Sequence, residues 1–114
     1  MDKRWRMSML LDTYGELLTR RQRAILKHYY EDDFSLSEIA ENEGISRAGV
    51  ADIVKRGERA LEKYESRLGL VQRFVSERRE LERLHAMLSV AEREHRPDIV
   101  TEARQIVLDI LKGD

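Results

Sequence analysis

Residues 36–56, LSEIAENEGISRAGVADIVKR, constrain the fold more than any other part of the chain. Ser35 and Glu38 make a capping box: the hydroxyl takes a free helix N–H and the carboxylate reaches back. The helix it opens passes through Ile39 and Ala40 and ends at Gly44, because glycine enters the left-handed conformation at little cost. Ser46 opens a second helix two residues later. The break is short, and Ala40 is a small residue where two helices could cross. Ile39, Ile45, Val50 and Ile53 are spaced to grip a core from both sides. Together these features predict a helix-turn-helix, whose second helix commonly lies on nucleic acid. The alternative is a plain helical hairpin that binds nothing.

The rest of the chain extends the helical pattern. Among 114 residues there are six glycines and one proline, Pro97, which leaves little room for hairpin strands. The expected fold class is all-α, a single helical domain over 1–114. Its helix-turn-helix core would span 8–69, with a helical extension at 70–114. Ser8 is the expected cap of a first helix carrying Met9, Leu10, Leu11, Tyr14 and Leu17. Thr19 and Gln22 form another capping box, opening a helix with Ile25, Leu26, Tyr29 and Tyr30. The helix from Ser46 gathers Val50, Ile53, Val54, Leu61 and Tyr64 on one face and ends near Leu68 and Gly69. A further helix runs from about Leu70 to His95, with Phe74, Leu81, Leu84, Leu88 and Ala91 as its seam. Pro97 interrupts it. The last helix carries Ile99, Ala103, Ile106, Val107, Ile110 and Leu111 on a stripe too apolar for water. That stripe must pack on the rest of the chain or on a second copy, so a homo-oligomer through the C-terminal helices is one expectation.

Charge and residue types exclude several functions. The net charge is -1, so nucleic-acid contact must come from a local patch rather than a global field. Residues 31–43 hold six acids (Glu31, Asp32, Asp33, Glu38, Glu41, Glu43) and no base. No cysteine is present, which removes disulfides and thiolate metal sites. No apolar run approaches the roughly 18 residues of a spanning helix, and the N-terminus lacks the apolar core of a signal peptide. A soluble cytoplasmic protein without a membrane partner is expected. His28, His85 and His95 lack metal-ligand spacing, and Glu92 with His95 forms only one of the two Glu-x-x-His units of a di-iron bundle. There is no Gly-rich phosphate loop and no serine with a partnering base. No catalytic, cofactor or metal residue is expected, and the chain does not read as an enzyme.

Candidate binding residues are basic. Base reading uses bidentate Arg, Asn or Gln near the start of a recognition helix. Arg47 alone fits, because Ala48, Ala51 and Asp52 are poor readers. Lys55, Arg56 and Arg59 follow as candidate phosphate contacts. Arg20, Arg21 and Arg23 form a second cluster in the first turn or so of their helix, where positive charge opposes the macrodipole by about 0.3–1 kcal/mol each. Such a placement points to phosphate, or else to a solvated face paired with Glu16 or the acids after Tyr30. Gly49 weakens its helix by about 1 kcal/mol relative to alanine, which suits close helix packing or a ligand-facing backbone. Trp5, between Arg4 and Arg6, reads as packing over the first helix or as an exposed anchor.

The run LTRRQRAILKHYYEDDFSLSEIAENEGISRAGVADIVKRGERALEKYE resembles region 4 of bacterial sigma factors. With RMSMLLDTYGELLT before it and SRLGLVQRF after it, the chain is similar to the small bacterial YlxM family over residues 5 to about 74. The final forty residues are similar only in general helical character. The resemblance implies a sigma-region-4-like fold. It also implies an accessory or regulatory role in the signal recognition particle pathway, with the particle's GTPase or its RNA as partner. This sequence departs from the family pattern where Ala48-Gly49 replaces Gln-Ala, Ala51 replaces Tyr and Ile53 replaces Asn. The expected function is regulatory binding of DNA or RNA, through the backbone more than the bases. The alternative is a protein adaptor that uses the helix-turn-helix as scaffold.

Overall fold

In the computed structural model, which describes residues 2–113, every regular element is helical. Helix α1 spans Lys3–Tyr14, and a 3-10 turn follows at Gly15–Leu17. Then come α2 (Arg20–Tyr30), α3 (Leu36–Glu43), α4 (Arg47–Leu68), α5 (Leu70–Glu94) and α6 (Pro97–Gly113). The all-α helix-turn-helix fold read from the sequence is the one adopted.

Most helix ends fall where side-chain chemistry puts them. Both capping boxes form, at Thr19 with Gln22 and at Ser35 with Glu38. Gly44 and Gly69 close α3 and α4 in the left-handed conformation, at φ +68° and +62°. The first helix differs from expectation. Its cap is Asp2, whose carboxylate accepts from the Trp5 N–H at 2.8 Å, and Ser8 lies inside the helix. The reason is the buried stripe Met7, Leu10, Leu11 and Tyr14, which begins before Ser8 and draws a longer helix onto the core. Trp5 stays exposed.

The described chain falls into two compact units that divide between Gln72 and Arg73. In the first, α1, α2 and α3 all pack on α4. Leu10, Tyr14, Ile25, Leu26, Ile39, Val50 and Leu61 are fully buried there. Helices α2 and α4 approach closely at Gly57, where a Cβ would lie 2.5 Å from Leu26 Cδ1. Charged side chains fasten α1 to α4 from outside the core. Arg6 donates to both oxygens of Glu62, at 2.8 and 2.7 Å, and Lys3 pairs with Glu58 at 3.3 Å. Tyr30 of α2 donates to Glu58 as well.

A buried carboxylate secures the start of α5. Glu65, only 8% exposed, accepts from the Tyr14 hydroxyl at 2.6 Å and from the N–H groups of Val71 and Gln72 at 3.0 and 2.9 Å. The Leu70 N–H donates to the Tyr14 hydroxyl at 3.1 Å. A helix start leaves such N–H groups without partners inside the helix. Here Glu65 of the preceding helix and Tyr14 of α1 supply them. Burial would raise the Glu65 carboxyl, but the bonds from Tyr14, Val71 and Gln72 outweigh it and hold it below the usual carboxylate range.

The second unit contains most of α5 and all of α6, folded back as an antiparallel hairpin. His95 turns the chain at φ +52°, and the Arg96 N–H closes the turn on the Ala91 carbonyl at 2.9 Å. Pro97 takes the first helical position, where its missing N–H costs nothing. Leu84, Ala91 and Ala103 fill the hairpin interior. The expected seams are only partly covered. Phe74, Leu81 and Leu88 of α5 are exposed, as are Val107, Ile110 and Leu111 of α6. Two helices have one mutual contact line, so the flanking stripes of each stay in water. No described helix is long and apolar enough to cross a membrane.

Candidate nucleic-acid interface

The interface is built from the turn outward. Ile39 and Ala40 of α3 and Val50 and Val54 of α4 are buried, while Ile45 and Ile53 are half-buried, so both helices grip one core. Gly44 reverses the chain between them. The Ser46 hydroxyl accepts from the Gly49 N–H at 2.9 Å and starts α4. A Cβ on Gly49 would meet Ser46 Oγ at 3.1 Å and Ile45 Cδ1 at 3.6 Å. Gly49 therefore fits its own cap rather than a neighbouring helix. Ser46→Ala should lower stability by about 1 kcal/mol, read as a lower urea midpoint with unchanged slope.

Burial of Val50, Val54, Gly57, Leu61 and Glu65 turns the opposite face of α4 to solvent. That face carries Ala48, Asp52, Lys55, Arg59 and Lys63, all exposed, with Arg56 beside them. Ala51, expected to point outward, is half-buried. Arg47 is exposed at the first position of the helix. Arg56 Nε pairs with Asp52 Oδ2 at 2.9 Å, which offsets part of its charge. Among the described residues, Arg47, Lys55, Arg59 and Lys63 make no ion pair. Lys55, Arg59 and Lys63, four residues apart, form the available positive stripe, and Arg47 stands off it at the start of the helix.

The cluster on α2 does not join that stripe. Gly57 of α4 lies against Leu26, Glu58 bonds Tyr30, and Tyr64 donates to the Leu17 carbonyl at 3.3 Å. The start of α2 therefore lies beside the C-terminal half of α4, away from Arg47. Arg20 and Arg21 are exposed. Arg23 is half-buried, and its side chain lies over Gly15 within 3.7 Å of where a Cβ would stand. The acids after Tyr30 take other partners: Asp33 binds Arg4 at 2.6 Å, and Asp32 binds His28 at 2.9 Å. His28 also stacks on Phe34, with ring centroids 5.0 Å apart. No three His, Asp or Glu side chains gather as metal ligands among the described residues.

Two features escaped the sequence reading, Gly57 and Glu65. Both interrupt the apolar stripe of α4 at helical spacing. That interruption was the available signal.

An all-α chain with a left-handed turn between a short helix and a long, capped second helix is a helix-turn-helix protein. The chain belongs to the UPF0122 family, described as "Putative helix-turn-helix protein, YlxM / p13 like", whose profile matches residues 1–99. A UPF0122 protein of Acetivibrio thermocellus is 48% identical over 91 residues, covering 79% of this chain and 78% of that protein. UPF0122 proteins of Bacillus mycoides and Bacillus thuringiensis are 43% and 42% identical over 114 residues, all of this chain and 99% of theirs. The kinship expected from residues 5–74 is met, and it extends through the C-terminal helices.

Proposed function

We propose that this protein is a regulatory nucleic-acid-binding module that holds a phosphate backbone with the outward face of α4. The observation that carries the reading is the exposed stripe of Lys55, Arg59 and Lys63, with Arg47 exposed at the start of the same helix; none of the four makes an ion pair among the described residues, and the helix is the second of a helix-turn-helix. Arg56 adds charge at the edge, tempered by Asp52. Arg20 and Arg21 form a separate basic point for a second phosphate run, with Arg23 a lesser contributor because it packs over Gly15. Phosphate contacts position a protein, and base contacts specify sequence. With Ala48 and Asp52 where readers would stand, backbone binding dominates and DNA sequence specificity is low. The likeness to sigma region 4 and to the YlxM family supports a cytoplasmic setting beside the signal recognition particle, whose RNA or GTPase would be the target. Pairing of two chains would present two such faces, which suits half-sites on a duplex.

Fluorescence anisotropy against random duplex DNA, the signal-recognition RNA and an unrelated structured RNA, across a salt series, tests this. Binding should weaken with salt with a log–log slope near −3 if about three phosphates are neutralised on duplex DNA. Lys55→Glu with Arg59→Glu should remove most of the affinity and flatten that slope by about 2, because each lost phosphate contact takes roughly one unit. Equal binding by wild type and variant would refute the α4 face.

A second reading rests on the acidic segment 31–43. A groove of about 420 Å³ is lined by Lys3, Arg4, Tyr29, Tyr30, Asp33, Phe34, Ser35 and Glu38, beside exposed Glu31, Asp32 and Glu41. The groove lining carries both signs, and the exposed acids of the 31–43 segment are what would draw a basic protein segment and make the helix-turn-helix a scaffold for an adaptor. Loss of all nucleic-acid binding at low salt, with capture of the purified GTPase, would favour it.

A further inference from the structure

We infer that the α5–α6 hairpin is half of a four-helix bundle, and that a second copy of this chain completes it about a two-fold axis near His85. The hairpin covers little of its own apolar surface. Leu81, Leu88 and Leu111 are 65%, 47% and 76% exposed, and Val100 and Val107 are exposed beside them. Leu81 and Leu88 are seven residues apart, as are Val100 and Val107, so each pair lies on one helical stripe. Leu88 and Val100 line the same groove with Ala91 and Pro97, which places the two stripes on one side of the hairpin. A contiguous apolar face of this kind marks an interface rather than ordinary surface.

The charges along the edge select the occupant. Both signs flank the face, which disfavours an anionic membrane or a nucleic acid. On α5, Arg78, His85 and Glu92 follow one another at seven-residue steps, all exposed. Reversing α5 onto a second α5 about His85 sets Arg78 against Glu92 of the second copy, and Glu92 against its Arg78. The same operation sets Leu81 near Leu88 of the second copy. An isologous interface requires this self-complementarity. Arg78 pairs within α5 to Glu82 at 3.3 Å, but exposed pairs of that type hold weakly and exchange readily. Two hairpins face to face give the packing of a four-helix bundle. The interface stands independently of nucleic-acid binding.

Sedimentation equilibrium on the full chain tests it. Wild type should show twice the 13.4 kDa chain mass at micromolar concentration. Arg78→Glu should raise the dimer Kd about tenfold, since it sets two like-charged pairs across the interface. Arg78→Glu with Glu92→Arg restores both pairs in reverse and should return the Kd to within about threefold of wild type. Both sites are exposed, so circular dichroism should not change. Leu88→Asp with Leu111→Asp should leave a helical monomer. A wild type that stays monomeric, a Leu88/Leu111 variant that stays dimeric, or a double charge swap no better than the single one would each overturn the inference.

Discussion

Replacing Glu65 with alanine is expected to destabilise the first unit by about 3–5 kcal/mol, the sum of stranding a buried hydroxyl and two N–H donors. Urea melts would show it as a large fall in midpoint. The loss comes from the donors left behind, because the Tyr14 hydroxyl and the Val71 and Gln72 N–H groups converge on one carboxylate. Tyr14→Phe should cost less, about 1–2 kcal/mol, because it strands only the Leu70 N–H and leaves the carboxylate its two backbone partners. Since the two side chains share one network, the double variant should lose less than the sum.

The same site carries a pH signature. The fold holds the Glu65 carboxyl below its ordinary range, and unfolding restores it. As pH falls, the unfolded chain takes up the proton first. The contribution is therefore full at neutral pH, declines as pH drops below the ordinary carboxylate range, and ends once the folded carboxyl is protonated. Glu65→Gln cannot titrate, so stability measured from neutral to acid pH should fall less steeply than in wild type. Parallel curves would show that Glu65 does not contribute in this way.

Gly57→Val is the second large effect, expected at about 3 kcal/mol of lost stability from overpacking. A Cβ at this position would stand 2.5 Å from Leu26 Cδ1 and 3.2 Å from its Cγ. Leu26 is fully buried, so its side chain has no solvent side to swing toward. Any residue larger than glycine must push α2 from α4 or force Leu26 off its rotamer. The gain in helix propensity over glycine, below about 1 kcal/mol, is too small to offset this. Adding Leu26→Ala should recover part of the loss by opening space at the crossing. If the double variant is less stable than the sum of the singles, the crossing is not the cause.

Much of this molecule is legible from its sequence because its helix ends are written in short-range chemistry. The Thr19–Gln22 and Ser35–Glu38 boxes, Ser46, Gly44, Gly69 and Pro97 all mark boundaries that form. Asp2 was less legible, because only the tertiary burial of Met7 and Leu10 tells that α1 begins so early. Glu65 and Gly57 depend on Tyr14 and Leu26, partners 51 and 31 residues away, and no local rule brings such pairs together. For α5 the periodicity names apolar positions but not which stripe meets α6. Leu84 and Ala91 take that role, and Leu81 and Leu88 do not. At the candidate interface the residue types were readable. That Arg56 leans on Asp52 and Arg23 covers Gly15 required coordinates.

The way charge is distributed has a practical consequence for handling the protein. Arg6 is tied to Glu62 by a two-pronged bond, and the fold beneath it rests on packed apolar groups and a buried carboxylate network. The lysines and arginines of the α4 stripe stand apart from that framework. Ionic strength that screens the stripe will leave the framework intact. If the α4 face holds a phosphate backbone as proposed, a salt wash should strip that polymer during purification and return a folded chain ready for reuse.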